Sequence, residues 1–367
     1  MPRPIYVAAT SQHVGKTTCT LGLVSTLQNR GVDVGYCKPV GQEFVDLGDL
    51  RVDKDALLFS EIIGFELHDH LHSPVILGKG ATTGYLKDPA AHTYAADIQE
   101  AARQLEATHE MVVYEGTGHP GVGSVVDLSN AQVAKSLDAR VMMVVEGGIG
   151  STIDRLHMCT ALFRELDVEI AGVVINKCLP EKIDTVRRYV GGWLQERGLG
   201  IIGALPYDKT LLYPIMSTVR IAISGRVLYN GNQLDNRVVD IMAGSLIDSH
   251  DFNEESGLLL VVSNKRVGQA VDQIDRRMQQ LQLTECPLSG IIITGDGRHE
   301  NEIAGDSPML EFIERYRIPV LSTRLDTFGS VVKISRIEVK INTRTPWKAR
   351  RAIELFSAHT DLGALLG

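Results

Sequence analysis

The stretch that most limits what this chain can fold into is Thr10-Ser11-Gln12-His13-Val14-Gly15-Lys16-Thr17-Thr18. An apolar run at residues 4–10 reads as a buried strand, and a helical pattern begins at Gly15. Leu21, Val24 and Leu27 fall on one face of that helix, and Gly31 supplies a stop. Strand, tight loop and helix start, in that order, form a phosphate-binding loop. The backbone N–H groups of Val14, Gly15, Lys16, Thr17 and Thr18 then face an anion, and the helix dipole adds attraction. Lys16 is predicted to reach the β- and γ-phosphates of a nucleotide, and the Thr17 hydroxyl to ligate Mg²⁺. One departure stands out: Thr10 occupies the position where the full pattern has glycine. A chance Gly-Lys-Thr at a helix start is the plain alternative, and the surrounding strand and helix argue against it.

A sheet must follow from such a beginning. Residues 111–115 (Met-Val-Val-Tyr-Glu) form a short apolar run ending in a carboxylate, and further apolar runs occur near 140–148, 170–177 and 200–206. The segments between them, such as 150–166 and 180–197, have helical spacing. Apolar strands alternating with helices predict a parallel sheet covered on both faces. The pattern pauses after Pro206, where residues 207–255 are more polar and irregular. A domain boundary is expected near 208, giving domains 1–208 and 209–367. Strands are predicted again at 257–264, 288–295 and 318–323, with a helix over 266–283 between the first two. Ser307-Pro308 reads as an N-cap opening another helix, and 344–360 as a surface helix in a C-terminal tail. The fold class is therefore α/β: a helix-covered parallel sheet, then a smaller α/β domain.

A phosphate loop needs a carboxylate for its metal at the end of another strand. Glu115 fits, because it closes an apolar strand and precedes a glycine-rich loop, Gly116 to Gly123. The alternative is an ordinary solvated strand end. Asp53 and Asp55 are a second source of ligands, or else caps for the helix that follows them.

Composition narrows the partners. The net charge is −8, so broad binding to nucleic acid or anionic lipid is not expected, and a nucleotide must be held locally. The chain has 5 cysteines, and no two have CxxC spacing. Reduced thiols and a cytoplasmic location are the expectation. No apolar run reaches the ~18 residues of a membrane span, so neither secretion nor insertion is expected.

Taken together, these residues resemble dethiobiotin synthetase, an ATP-dependent carboxylase of the P-loop NTPase class. The matching segments are Val14-Gly15-Lys16-Thr17, Lys38-Pro39-Val40, Lys54-Asp55-Ala56-Leu57, Tyr114-Glu115-Gly116 and Val173-Val174-Ile175-Asn176. The resemblance covers about residues 4–206. It implies that Lys16 and Thr17 bind ATP phosphates and Mg²⁺, and that Asp55 and Glu115 complete the metal site. It gives Lys38 the role of stabilising charge on the transferring phosphoryl group. It also implies that Asn176 hydrogen-bonds the adenine, that Pro206 packs against it, and that the protein is a homodimer. Ser11, Gln12 and His13 inside the loop, Gly41-Gln42 after Val40, and Thr117-Gly118-His119 after Gly116 depart from the family. These departures fall on the part that would handle the diamino-acid substrate. A second resemblance spans the chain: long bacterial phosphotransacetylases carry a dethiobiotin-synthetase-like domain and then a DRTGG domain, and this sequence is similar to those two. Ile318-Pro319-Val320-Leu321-Ser322 and Asp326-Thr327-Phe328 carry the second half of that likeness.

Weaker signals remain. His68, His70 and His72 alternate, which on a strand would put three imidazoles on one face for a metal, and on a loop would scatter them. His119 follows Glu115 and could exchange a proton or simply contact backbone. Gly295-Asp296-Gly297-Arg298 reads as a turn, with an anion nest as the alternative. The second domain shows no strong catalytic constellation. Three functions are consistent with this set: a nucleotide-sensing regulatory protein whose second domain binds a small molecule or a separate acyltransferase, an ATP-dependent ligase acting on a small amine or carboxylate, and a degenerate structural module. The sensor is the reading the sequence favours.

Overall fold

The computed structural model describes residues 3–244, 257–295 and 308–366. It divides into two compact units, Met1–Asp208 with Ile341–Gly367, and Lys209–Lys340.

The first unit is built on six strands: β1 (Ile5–Ala9), β2 (Val34–Cys37), β3 (Met111–Glu115), β4 (Arg140–Glu146), β5 (Ile170–Cys178) and β6 (Ile201–Pro206). They lie in the order β6-β5-β4-β1-β3-β2, and every neighbouring pair is parallel. β1 is central, and every one of its residues is buried. The pleat sends Ile5, Val7 and Ala9 into one core and Tyr6 and Ala8 into the other. That is why β1 reads as an unbroken apolar run instead of an alternating one. On one face lie the helices Lys16–Asn29 and Lys54–Phe59. On the other lie Tyr94–Thr108, Asn130–Ser136, Gly150–Glu165 and Ile183–Gln195.

The chain's last helix changes the domain plan read from the sequence. Pro346–His359 buries Ala349, Ala352, Leu355 and Phe356. Phe356 and Ala349 belong to the same core as helix Lys16–Asn29. Thr360 bridges to Gly203 in β6, and Arg351 pairs with Asp208 at 2.6 Å. The segment given above to the second domain as a surface tail is thus a packed layer of the first unit. An amphipathic helix shows which of its faces is apolar but not which surface will cover it.

The second unit has five strands: β7 (Arg226–Tyr229), β8 (Asp240–Ala243), β9 (Leu258–Ser263), β10 (Leu288–Thr294) and β11 (Val320–Thr323), in the order β7-β11-β10-β9-β8. β8 to β11 are parallel, and β7 runs antiparallel at the edge. Helices Val267–Gln280 and Pro308–Arg315 cover one face, and Met216–Ala222 and Thr327–Ser335 the other. The stretch 207–255 therefore contains a helix and two strands that its polar composition hid. Both strands are edges with few buried residues, so their apolar runs are only three residues long. Helix Pro308–Arg315 begins on proline, while its proposed cap Ser307 lies outside the described residues. In the Gly295–Arg298 turn only Gly295 is described, and its N–H donates to Leu325 O at 2.9 Å.

Candidate functional site

β1 ends at Ala9 and the chain turns at once into the loop, with Thr10 N–H donating to Val144 O in β4 at 3.0 Å. His13 (φ 61°) and Gly15 (φ 94°) are left-handed, so the loop doubles back before helix Lys16–Asn29 begins. Gly15 is required twice over. Its φ suits glycine, and a Cβ there would lie 2.0 Å from Asn176 Nδ2. The first N–H groups of the helix have no intrahelical acceptor and so face the loop's mouth. Val14 is buried, while Lys16, Thr17 and Thr18 are half-buried. The Thr10 hydroxyl, where the loop pattern has glycine, is buried and has no hydrogen-bond partner among the described residues.

Neighbouring strands deliver the charged groups. Cys37 and Tyr114 are register partners on β2 and β3, so Lys38 and Glu115, one residue later on each, come out side by side. Asp55 arrives from the first turn of helix Lys54–Phe59. Lys38 Nζ hydrogen-bonds to Asp55 Oδ2 and lies 3.4 Å from Glu115 Oε1. Thr17 Oγ1 donates to the same Glu115 Oε1 at 2.9 Å, and Tyr36 OH donates to Glu115 Oε2 at 3.2 Å. Glu115 is completely buried. Five residues from four separate segments thus meet at the carboxyl ends of β1, β2 and β3, where open parallel sheets hold ligands.

The electrostatics follow from crowding charges into a dry site. Burial raises the Glu115 carboxyl above its usual range, with Lys38 opposing the rise and Asp55 adding to it. Burial alone would lower Lys38, but Asp55, Glu115 and Asp53 together raise it above an ordinary lysine, so it stays an ammonium. Lys16 behaves in the opposite way. Burial, helped by Lys38, pushes it down to about 8 against the pull of Glu115, Asp55 and Asp53. An ammonium held below its ordinary value gains most from an incoming anion.

Asp53 turns out to be a cap. Its carboxylate accepts from Asp55 N at 2.9 Å and from Gln42 N at 3.2 Å, which fixes Asp55 and the chain after Lys38 to one another. Asn176 and Pro206 lie at the far side of the loop. Asn176 Nδ2 donates to Val14 O at 2.8 Å, and its Oδ1 accepts from Lys177 N at 2.9 Å. Lys177 Nζ donates to His13 O at 2.6 Å and pairs with Glu146 Oε1 at 3.6 Å. The end of β5 therefore braces the phosphate loop from behind. Pro206 closes β6 opposite Cys178, two residues beyond Asn176.

A family profile described as AAA domain matches residues 3–214. The chain belongs to the AAA domain family. Its first unit is accordingly a P-loop NTPase domain. Phosphate acetyltransferase of Pseudomonas putida is 24% identical over 366 residues, covering 97% of this chain and 50% of that protein. ATP-dependent dethiobiotin synthetase BioD of Streptomyces avermitilis is 28% identical over 210 residues, 55% of this chain and 83% of that one. The septum site-determining protein MinD of Pyrococcus horikoshii, solved with Mg-ADP, covers 58% of this chain and 84% of its own at 14% identity and a TM-score of 0.36. The chain spans about half the length of the phosphate acetyltransferases it matches.

Within this AAA domain, one organising residue escaped the sequence reading. Asn130 is buried, and its Oδ1 accepts from Tyr6 OH at 2.7 Å and from Thr117 N at 2.9 Å. Its Nδ2 donates to Thr117 O at 2.8 Å and to His119 O at 2.6 Å. Three of its four hydrogen bonds go to the loop after Glu115, and the fourth ties it to β1. The readable signal nearby was the Ser129/Gln132 capping box, which marks a helix start beside it. Asn130→Ala leaves several buried polar groups without partners. It is expected to cost on the order of 3 kcal/mol, read as a lower urea midpoint with unchanged m-value.

Of the candidate histidines, His72 is packed into the fold and His70 and His119 are exposed. His68, His70 and His72 lie at the helical turn Asp69–His72, not on a strand. His72 is buried, stacked on Phe65 at 4.5 Å, and bonded through Nδ1 to the His68 backbone at 3.0 Å. Burial pushes it down to about 4, so it is neutral. His119 is exposed, and its Nδ1 accepts from Gly121 N at 3.2 Å. Among the described residues no group of three or more His, Cys, Asp or Glu could hold a metal alone. No helix there is long and apolar enough to cross a membrane.

Proposed function

We propose that this protein binds ATP with Mg²⁺ in its first unit and serves as a nucleotide- and metabolite-sensing regulatory protein. The observation that carries the reading is the convergence of Lys16, Thr17, Lys38, Asp55 and Glu115 at the mouth of one phosphate loop. The donor set fits the metal. It offers two carboxylates and a hydroxyl, all hard oxygen ligands, and leaves the remaining positions to phosphate oxygens and water. Thr17, Asp55 and Glu115 would hold Mg²⁺, which when bound would supply positive charge against the phosphates. Lys16 and the N–H groups of Val14, Gly15, Thr17 and Thr18 grip the phosphates. Lys38, held as an ammonium, is available to a phosphoryl group carrying extra charge. Preference for adenine is a further part of the proposal and rests on Asn176, which has a second amide proton beyond its bond to Val14, and on Pro206.

Similarity to phosphate acetyltransferase along nearly the whole chain supports the regulatory role, since the match continues through the second unit. We assign that unit to the DRTGG type, with a small metabolite or a separate acyltransferase as its partner, and a homodimer as the assembly. A ligase acting on a small amine or carboxylate is the second reading. It is favoured by Lys38, whose retained charge suits an acyl-phosphate or carbamate reaction. An ATPase assay against pooled small carboxylates, amines and acyl phosphates separates the two. Slow, substrate-independent ADP release with tight ATP binding supports the sensor. Strong stimulation by one amine with bicarbonate overturns it in favour of the ligase.

The Lys16 value gives a pH test. The ammonium must be charged to hold phosphate, and in the free protein it titrates at about 8. ATP affinity is expected to be flat below pH 7 and to fall above pH 8, approaching about 10-fold per unit. Calorimetry across pH 6.5 to 9.5 reads it directly. A flat profile through pH 9 would exclude Lys16 as a titrating phosphate ligand.

A further inference from the structure

We propose that Lys38 is a tethered counter-ion that occupies the metal's carboxylates until a nucleotide arrives, making divalent-cation binding conditional on nucleotide. The inference rests on the ATP/Mg²⁺ reading above and adds an order of events to it.

The geometry is specific. Glu115 Oε1 already takes two donors, the Thr17 hydroxyl at 2.9 Å and the Lys38 ammonium at 3.4 Å. Glu115 Oε2 takes Tyr36 OH at 3.2 Å. Lys38 also engages Asp55 Oδ2, so one ammonium joins the two carboxylates assigned to the metal. A carboxylate as buried as Glu115 cannot stand uncompensated, and Lys38 is the cation that compensates it. A divalent cation added to the same oxygens would meet that ammonium at contact range in a dry site. The like charges would repel strongly there.

The charge balance points the same way. Asp53, Asp55 and Glu115 face Lys16 and Lys38, three carboxylates against two ammoniums. The residual is a single negative charge, too little to attract a hydrated divalent ion. Without the charge on Lys38 it becomes two, matched to such an ion. Lys38 therefore has to swing to another anion before the carboxylates can serve a metal. Phosphate entering the loop beside Lys16 is the anion within reach. Lys16 gains as well, because Lys38 is one of the causes that depress it.

The test uses Mn²⁺ as the probe on the full chain, read by the loss of free-ion electron paramagnetic resonance signal, with and without a non-hydrolysable ATP analogue. Wild type is expected to bind Mn²⁺ on the order of 10- to 100-fold more tightly with the analogue, the usual size of a coupling between sites. Lys38→Met is expected to tighten nucleotide-free Mn²⁺ binding by a similar factor. Lys38→Arg keeps the cation and is expected to exclude Mn²⁺ as wild type does. If Lys38→Met does not fold, Lys38→Gln takes its place, because the analogue's own phosphates also ligate Mn²⁺ and the variant is what isolates the ammonium. Equal Mn²⁺ affinity in wild type with and without the analogue overturns the inference. So does nucleotide-free binding by Lys38→Met no tighter than wild type. In both cases, analogue binding by wild type leaves the ATP reading intact. Wild type that binds no analogue overturns that reading and the inference together.

Discussion

Lys16→Ala is expected to weaken ATP binding by about 100-fold or more while leaving the nucleotide-free fold intact. The size follows from what the side chain would do. A charged group gripping phosphate in a desolvated pocket is worth roughly 2–5 kcal/mol, most of it felt as faster release. The unchanged fold follows from the sign of the Lys16 shift. Its pKa is lowered, so the folded state holds the ammonium less readily than the unfolded chain does. This cost is absent above the unfolded value near 10.5, grows as pH falls through about 8, and is constant below. At neutral pH it amounts to at most about 3 kcal/mol. Removing the lysine removes that cost, so the apo melting temperature should stay level or rise. Calorimetry for ATP and a thermal melt of the apo protein read the two halves separately. Equal ATP affinity in the variant would falsify the site assignment. A lowered apo melting temperature would mean that Lys16 supports the fold instead of straining it.

The residues that make this experiment specific were mostly visible in the sequence. Lys16, Thr17, Lys38 and Glu115 each sit at or just past the end of a strand, or where a helix starts. A parallel sheet gathers those positions at one edge, so naming the strands nearly names the site. Asp55 was readable as a carboxylate at a helix start, but not the division of labour with Asp53, which depends on which oxygen meets which N–H. Asn130 was hidden because a buried asparagine in the first turn of a helix looks like any polar helix start until its four partners are known. Asn176 was legible as the end of a strand and, through the resemblance, as a hydrogen-bond partner for adenine. That it braces Val14 comes from the crossing of β5 behind the loop. The histidine run was left open between a strand and a loop. Its spacing suits a strand, and the chain makes a helical turn that points His72 inward. The division at 208 coincides with that of the two units, and only the last segment departs from the domain plan, because the partner of the final helix is more than 300 residues away in sequence.

That partnership carries the largest expected effect on stability. Phe356 is fully buried against helix Lys16–Asn29, and the close approach depends on Gly22. A Cβ on Gly22 would lie 2.1 Å from Phe356 Cβ and 2.3 Å from Cγ, so the two helices touch where one has no side chain. Phe356→Ala opens a cavity beside the helix that starts the phosphate loop. The expected cost is about 3–5 kcal/mol. At roughly 2–4 °C per kcal/mol for a unit of this size, the melting temperature should drop by around 10 °C. Gly22→Ala should also destabilise, by overpacking. Phe356→Ala keeps the Cβ that lies 2.1 Å from a methyl at Gly22, so it is in the Phe356→Gly background that the same change should cost much less. The resulting coupling of about 1–3 kcal/mol in a double-mutant cycle is a signature that two unrelated surface changes cannot produce. The sequence-derived boundary makes the opposite prediction. With 341–367 belonging to a second domain, a chain cut after Asp208 would be as stable as the whole, and Phe356→Ala would leave the first unit's melting unchanged. Cutting there instead strips an apolar layer from helix Lys16–Asn29, and the fragment should aggregate or melt well below the full chain. Purifying it as a stable, ATP-binding monomer would return 341–367 to the second domain and reduce the last helix to the surface tail its spacing first suggested.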